Sequence, residues 1–284
     1  MLLDFILINL TLLVLFIASY ADIKTKEVSD WLNYGFIFAV LGIRAIFSVE
    51  FGVDILISGI LGFAICFLIA LLFYYTNHWG GGDSKLLMGM GAVIGIEFPF
   101  SETSFTLLWF FLALLLLGGI YGLLWMVFLA IKKKEEFTAV WQKKIRQYFV
   151  THFLITIASI FFIISAFFYP FLWPLILFPP IVFYLIVFIN TVEESCFLIR
   201  KNISDITEGD WLAEDVKVNT KIVLSERTLE KVDLNKLYAL LHRKQVGKVL
   251  IKEGVPFVPS FLLAYLAILF GKTVFVPILT VIFN

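Results

Sequence analysis

Charge and cysteine are scarce in this 284-residue chain. Asp, Glu, Lys and Arg make up 15% of it, against about a quarter in soluble domains, too little polar surface to clothe a water-soluble globule of this length. Lys and Arg number 22, and so do Asp and Glu, so no surplus of positive charge is available for nucleic acid. Cys66 and Cys196 lie far apart with no CxxC spacing. That excludes a disulfide framework and paired-cysteine zinc or redox motifs, and neither a metal nor a cofactor is expected. What is abundant is apolar: 61% hydrophobic residues, 17% aromatic, and a mean hydropathy of +0.98. The chain belongs in a lipid bilayer.

A membrane-crossing helix needs about 20 apolar residues. The apolar runs predict eight spans, at residues 2–21, 34–49, 53–75, 85–100, 104–131, 149–169, 171–190 and from 256, the last stopping near Gly271 or continuing to the C-terminus. The first run is preceded by Asp4 and no basic residue, the reverse of a cleaved signal, and is read as a permanent helix. Orientation follows from Lys and Arg, which stay in cytoplasmic loops. Alternate loops from Lys24 onward hold 20 of the 22 basic residues, while the opposite segments carry Asp4, Glu50, Asp54, Glu97 and Glu102. The N-terminus is therefore expected outside.

Between 191 and 255 the composition turns mixed and charged. Residues 216–224 alternate as a strand does, Asp233 is placed to cap a helix from Leu234 to about Lys244, and 246–251 again alternate. The expected fold is an all-α polytopic membrane protein of about 8 transmembrane helices, with a small α+β cytoplasmic domain before the last helix. The expected parts are a catalytic membrane core at 1–131, a basic amphipathic loop at 132–148, further spans at 149–190, the cytoplasmic domain at 191–255 and a terminal helix at 256–284. In the loop, Phe137, Trp141 and Ile145 at helical spacing among lysines predict a segment lying on an anionic leaflet.

Two acids occupy membrane-associated positions on the cytoplasmic side: Asp22, closing the first span, and Asp83, just before the fourth. By itself each has an ordinary reading, Asp22 as a flanking charge and Asp83 as a helix cap. Their neighbours argue for more. Gly80, Gly81 and Gly82 strip side chains from the backbone before Asp83 and permit dihedrals closed to other residues, so another chain can approach there. An aspartyl protease needs two carboxyls near enough to share a proton, one activating water while the other hydrogen-bonds the scissile carbonyl.

The stretch Gly80-Gly81-Gly82-Asp83-Ser84-Lys85-Leu86-Leu87, followed by Gly91-Ala92, resembles the GxGDxKLL…GA signature of type IV prepilin peptidases. Residues 19–30, from Ser19 through Asp22 to Val28-Ser29-Asp30, resemble that family's first motif, with Val28-Ser29 in place of an Ile-Pro pair. This form is most similar to the archaeal preflagellin (archaellin) peptidases. The resemblance is sharp over residues 1 to about 120, with a weaker echo at 209–216 and 254–259. It implies a GxGD aspartyl endopeptidase with Asp22 and Asp83 as its catalytic dyad. Its partners are then prepilin or pre-archaellin precursors, which lose a short basic leader at the cytoplasmic face of the membrane. Without paired CxxC motifs, no methyltransferase domain is implied.

Other residues carry ordinary readings. Gly91 with Gly95, and Gly118 with Gly122, have the spacing of close helix packing. His78 and Trp79 read as interfacial anchors, and Arg44 as a cation snorkelling to the outer surface. Lys85 either holds the acidic site or marks the inner face. Glu27 and Asp30 are candidates for attracting a basic leader. His152 and His242 read as structural. A transporter using the same carboxylates would hold them near mid-membrane, and a presenilin-type protease shares only the GxGD; neither fits as well.

Overall fold

The computed structural model describes residues 2–76, 79–97, 102–218, 221–225, 227–243 and 246–283. The chain divides into two compact units, residues 1–123 with 255–284, and residues 124–254. The terminal helix, expected to stand as a part of its own, is thus built into the first unit. The boundary near residue 123 falls inside a helix rather than at its end.

The first unit holds α1 (Leu2–Thr25), α2 (Asp30–Phe51), α3 (Asp54–Tyr75), α4 (Gly81–Ile94), the first part of α5 (Thr106–Lys132) and α10 (Val258–Phe283). Lys26, in the left-handed region at φ 59°, ends α1; its N–H donates to the Asp22 carbonyl at 2.8 Å. Small residues on α3, namely Ser58, Gly59, Gly62, Cys66 and Ala70, form its buried stripe. They let α4 approach until a Cβ at Gly62 would lie 2.1 Å from the Gly91 carbonyl oxygen. The expected Gly91 packing is therefore present, with Gly62 as its partner. Gly118 lies under the Phe257 ring, whereas nothing stands within 4 Å of a Cβ at Gly122.

α4 departs from the expected fourth span. It starts earlier, at Gly81, and stops after 14 residues at Gly95, whose φ of 69° turns the chain while its N–H returns to the Gly91 carbonyl. At 1.5 Å per residue it measures about 21 Å, short of a bilayer core of about 30 Å. Residues 98–100 of that span lie outside the described residues. Arg44 explains the early stop. It does not snorkel: it is 7% exposed, and its Nη1 and Nη2 donate to the Ile55 and Val93 carbonyls at 2.8 and 2.7 Å. A cation suits the Val93 carbonyl in the last turn of α4, and Gly59 and Gly95 leave room for its side chain.

In the same unit, Leu7, Thr11, Val14, Leu15, Ala18 and Asp22 form the buried stripe of α1, and Val258, Phe261, Ala264 and Tyr265 are buried on α10. These two helices pack together. α10 continues as a helix to Phe283, past Gly271.

The second unit contains the end of α5, α6 (Lys134–Gln147), α7 (Phe149–Phe168) and α8 (Trp173–Val192), the last extended by a π turn at Glu193–Phe197. α6 is the expected amphipathic segment, yet its apolar side meets α8: the Phe137 ring lies 5.8 Å from Phe188, and Lys144 donates to the Asn190 carbonyl at 2.7 Å. His152 is held by Tyr184 and the Phe183 ring, a structural setting. Beyond α8 lie β1 (Leu198–Asn202), β2 (Trp211–Leu212), β3 (Val216–Val218), β4 (Lys221–Leu224), β5 (Arg227–Thr228), α9 (Lys231–His242) and β6 (Lys248–Lys252). β1, β6, β2 and β5 form an antiparallel sheet in that order. The strand expected over 216–224 is instead the pair β3 and β4, antiparallel to one another. The expected α9 starts three residues early. Glu230 is its N-cap, and Asp233 completes a capping box from the third helical position. Leu212, Leu229, Leu237 and Ile251 fill the small core.

Six helices among the described residues are long and apolar enough to cross a membrane: α1, α2, α3, α5, α7 and the stretch Leu175–Phe197; Val258–Gly271 is a shorter apolar stretch. The protein is a polytopic membrane protein with a small α+β region.

Candidate active site

α1 to α4 are joined by short connections and alternate in direction. The end of α1 and the start of α4 therefore lie at the same end of the bundle, and the two helices touch. Asp22, in the last turn of α1, is 6% exposed. Its Oδ2 accepts the backbone N–H of Val258, the first residue of α10, at 2.8 Å. Asp83 is half-buried. It is not the cap of α4: Gly80 is the N-cap, and Asp83 occupies the third helical position, where its carboxyl accepts the Gly80 N–H. The two acids singled out in the sequence thus stand at one end of the bundle, on helices that touch.

The glycines before Asp83 adopt ordinary dihedrals, with φ −71° at Gly80, and none of the three is among the positive-φ glycines. Neither does packing require them. A Cβ at Gly80 would meet only the Asp83 Oδ2 at 3.8 Å, one at Gly81 the Tyr74 ring at 3.8 Å, and one at Gly82 Val28 at 3.5 Å. All three distances are ordinary contacts. The glycine run therefore answers no demand of this chain's own fold and leaves one face of the backbone bare.

Glu27, on the connection from α1 into α2, and Asp30, the first residue of α2, are exposed on either side of buried Val28. Asp30 forms an ion pair with Lys85, whose ammonium also lies 5.2 Å from the centre of the Tyr34 ring. Lys85 therefore ties α4 to α2 rather than holding either aspartate of the pair. Trp79 is not an isolated anchor. It stacks on Phe73 at 4.7 Å and meets Phe257 and Phe261 at 5.5 and 5.8 Å. His78 lies outside the described residues. Sequence reasoning missed two participants. Asn33, fully buried, donates to the Gly82 carbonyl at 3.4 Å. Val258 was passed over because its contribution is a backbone N–H, although Pro259 just after it marks a helix start.

The family model of the type IV leader peptidases matches residues 9–130, which include both aspartates and the glycine run. The match covers residues 9–130 of the 284 in the chain. The chain is also similar to three curated relatives, each called a preflagellin peptidase. It is 42% identical to that of Methanococcus voltae over 86 residues, 29% of this chain and 36% of the relative. It is 33% identical to that of Methanococcus maripaludis over 85 residues, 28% of this chain and 35% of the relative. The protein of Methanocaldococcus jannaschii is 35% identical over 81 residues, 28% of this chain and 34% of the relative. The chain spans little more than a third of the length of the curated relatives it matches. No solved structure matches it. Val258 and the domain between α8 and α10 lie beyond the matched residues.

Proposed function

We propose that this protein is a membrane aspartyl endopeptidase that removes the short basic leader of prepilin-like or pre-archaellin precursors at the cytoplasmic membrane face, with Asp22 and Asp83 as its catalytic dyad. The observation that carries this reading is the meeting of two acids from separate helices at one end of the bundle, beside a glycine run that the fold itself does not need. The names of the relatives, preflagellin peptidases, supply the substrate class.

The chemistry asks little else of the site. The ionised carboxylate takes a proton from water as the oxygen attacks the scissile carbonyl. The protonated partner donates a hydrogen bond to the developing oxyanion, and the amine leaves with a proton relayed through the pair. Two carboxyls that share a site favour one shared proton over two anions. Gly80, Gly81 and Gly82 offer bare backbone along which an extended precursor can lie, and the exposed acids Glu27 and Asp30 draw a leader rich in Lys and Arg toward it. The concentration of 20 of 22 basic residues in alternate loops supports a cytoplasmic site.

The test is cleavage of preflagellin and prepilin precursors in membranes carrying wild type, Asp22→Asn or Asp83→Asn. Each variant keeps shape and loses the exchangeable proton. Processing should fall by roughly ten-thousandfold in both at unchanged protein level; cleavage that persists in either removes that residue from the dyad.

A further inference from the structure

The first turn of α10 touches both halves of the candidate site. The N–H of a helix's first residue has no partner within the helix. Here that residue is Val258, fully buried, and its N–H points at Asp22 Oδ2, 2.8 Å away. Pro256 and Pro259 have no N–H, and the Ser260 N–H is bound to the Phe257 carbonyl at 3.0 Å. From the same turn, the Phe257 and Phe261 rings hold Trp79, the residue just before Gly80, whose own N–H is accepted by Asp83.

We infer that Val258 is a positioning residue for leader cleavage: its backbone N–H fixes one oxygen of the Asp22 carboxylate and leaves the other for the reacting water. This rests on the dyad proposed above. Fixing a carboxylate through one oxygen removes its freedom to rotate away, and misplacement by about an ångström costs roughly a hundredfold in rate. A merely structural tie between α1 and α10 would hold the helices together without affecting the chemical step.

Val258→Pro isolates the N–H. Proline is favoured at the first helical position, so α10 keeps its start while losing this one donor. Val258→Ala is the converse, truncating the side chain and keeping the N–H. In the precursor cleavage assay, kcat should fall about ten- to a hundredfold further for Val258→Pro than for Val258→Ala, with KM within about twofold of wild type. Equal kcat in the two variants would overturn the inference.

A second measurement does not depend on the proline variant folding. Amide hydrogen exchange at Val258 in the full-length protein is readable because the residues at 256 and 259 have no amide hydrogen. Asp22→Asn keeps an acceptor and should keep most of the protection, while Asp22→Leu should exchange at least about tenfold faster. Unchanged exchange in Asp22→Leu would overturn the inference. The dyad itself fails by a different result, cleavage persisting in Asp22→Asn.

Discussion

A Cβ at Gly62 would lie 2.1 Å from the Gly91 carbonyl oxygen, whereas one at Gly80 would meet nothing nearer than the Asp83 Oδ2 at 3.8 Å. Substitution by alanine therefore separates the two uses of glycine in this protein. Gly62→Ala must push one helix backbone off another and should lower stability by about 1–3 kcal/mol, seen as a lower unfolding midpoint in detergent. Gly80→Ala suits its φ of −71° and should cost no more than about 1 kcal/mol at an N-cap, moving the midpoint less than Gly62→Ala does while KM for the precursor rises. A fall in midpoint without a change in KM would return Gly80 to the fold. Asp22 and Asp83 were legible because rare acids in an apolar chain stand out, and because three glycines beside one of them are improbable as packing. Val258 was not legible. A backbone N–H has no residue-type signature, and its acceptor lies 236 positions away in the chain.

At the level of whole elements, hydropathy locates helices and conceals their faces. The exposed side of α1, with Leu13, Phe16 and Ile17, is as apolar as the buried side with Val14 and Leu15, because lipid and protein interior ask for the same residues. Arg44 was misread for this reason: its distance from a helix end was visible, its burial against α3 and α4 was not. Arg44→Met keeps much of the side-chain volume and removes both donors. The Val93 carbonyl, in the last turn of α4, would lose its donor while Ile55 keeps its partner within α3, so a drop of about 1–3 kcal/mol in detergent unfolding is expected. Arg44→Lys should restore only part of it, since one ammonium does not reproduce a two-armed fork. A variant as stable as wild type would deny Arg44 its role in ending α4. In the β-rich segment, by contrast, one side of each element is exposed, and the periodicity located α9 and β6 to within about three residues. The error over 216–224 was one of continuity. Alternation persists on both sides of the break between β3 and β4, and period-two patterning does not register where a chain doubles back.

For the whole molecule, the return of α10 to the first unit after 131 residues of the second could not be read from residue order, since no apolar pattern names its partner helix. The side of the membrane is an expectation that rests on charge, and it decides where a cytoplasmic cut is feasible. The two native cysteines are each 2% exposed and should stay unlabelled by a membrane-impermeant maleimide, so a single introduced cysteine reports its own side. Val53→Cys, between α2 and α3, should react in intact cells. Ser204→Cys, in the β-rich segment, should react only after lysis. The reverse pattern would place the Lys- and Arg-rich loops outside, against the inward retention of basic residues flanking membrane helices. It would also put the Asp22 and Asp83 end of the bundle on the face where a precursor with an uncleaved, positively charged leader does not wait, because that leader is itself retained on the inner side by the same charge rule.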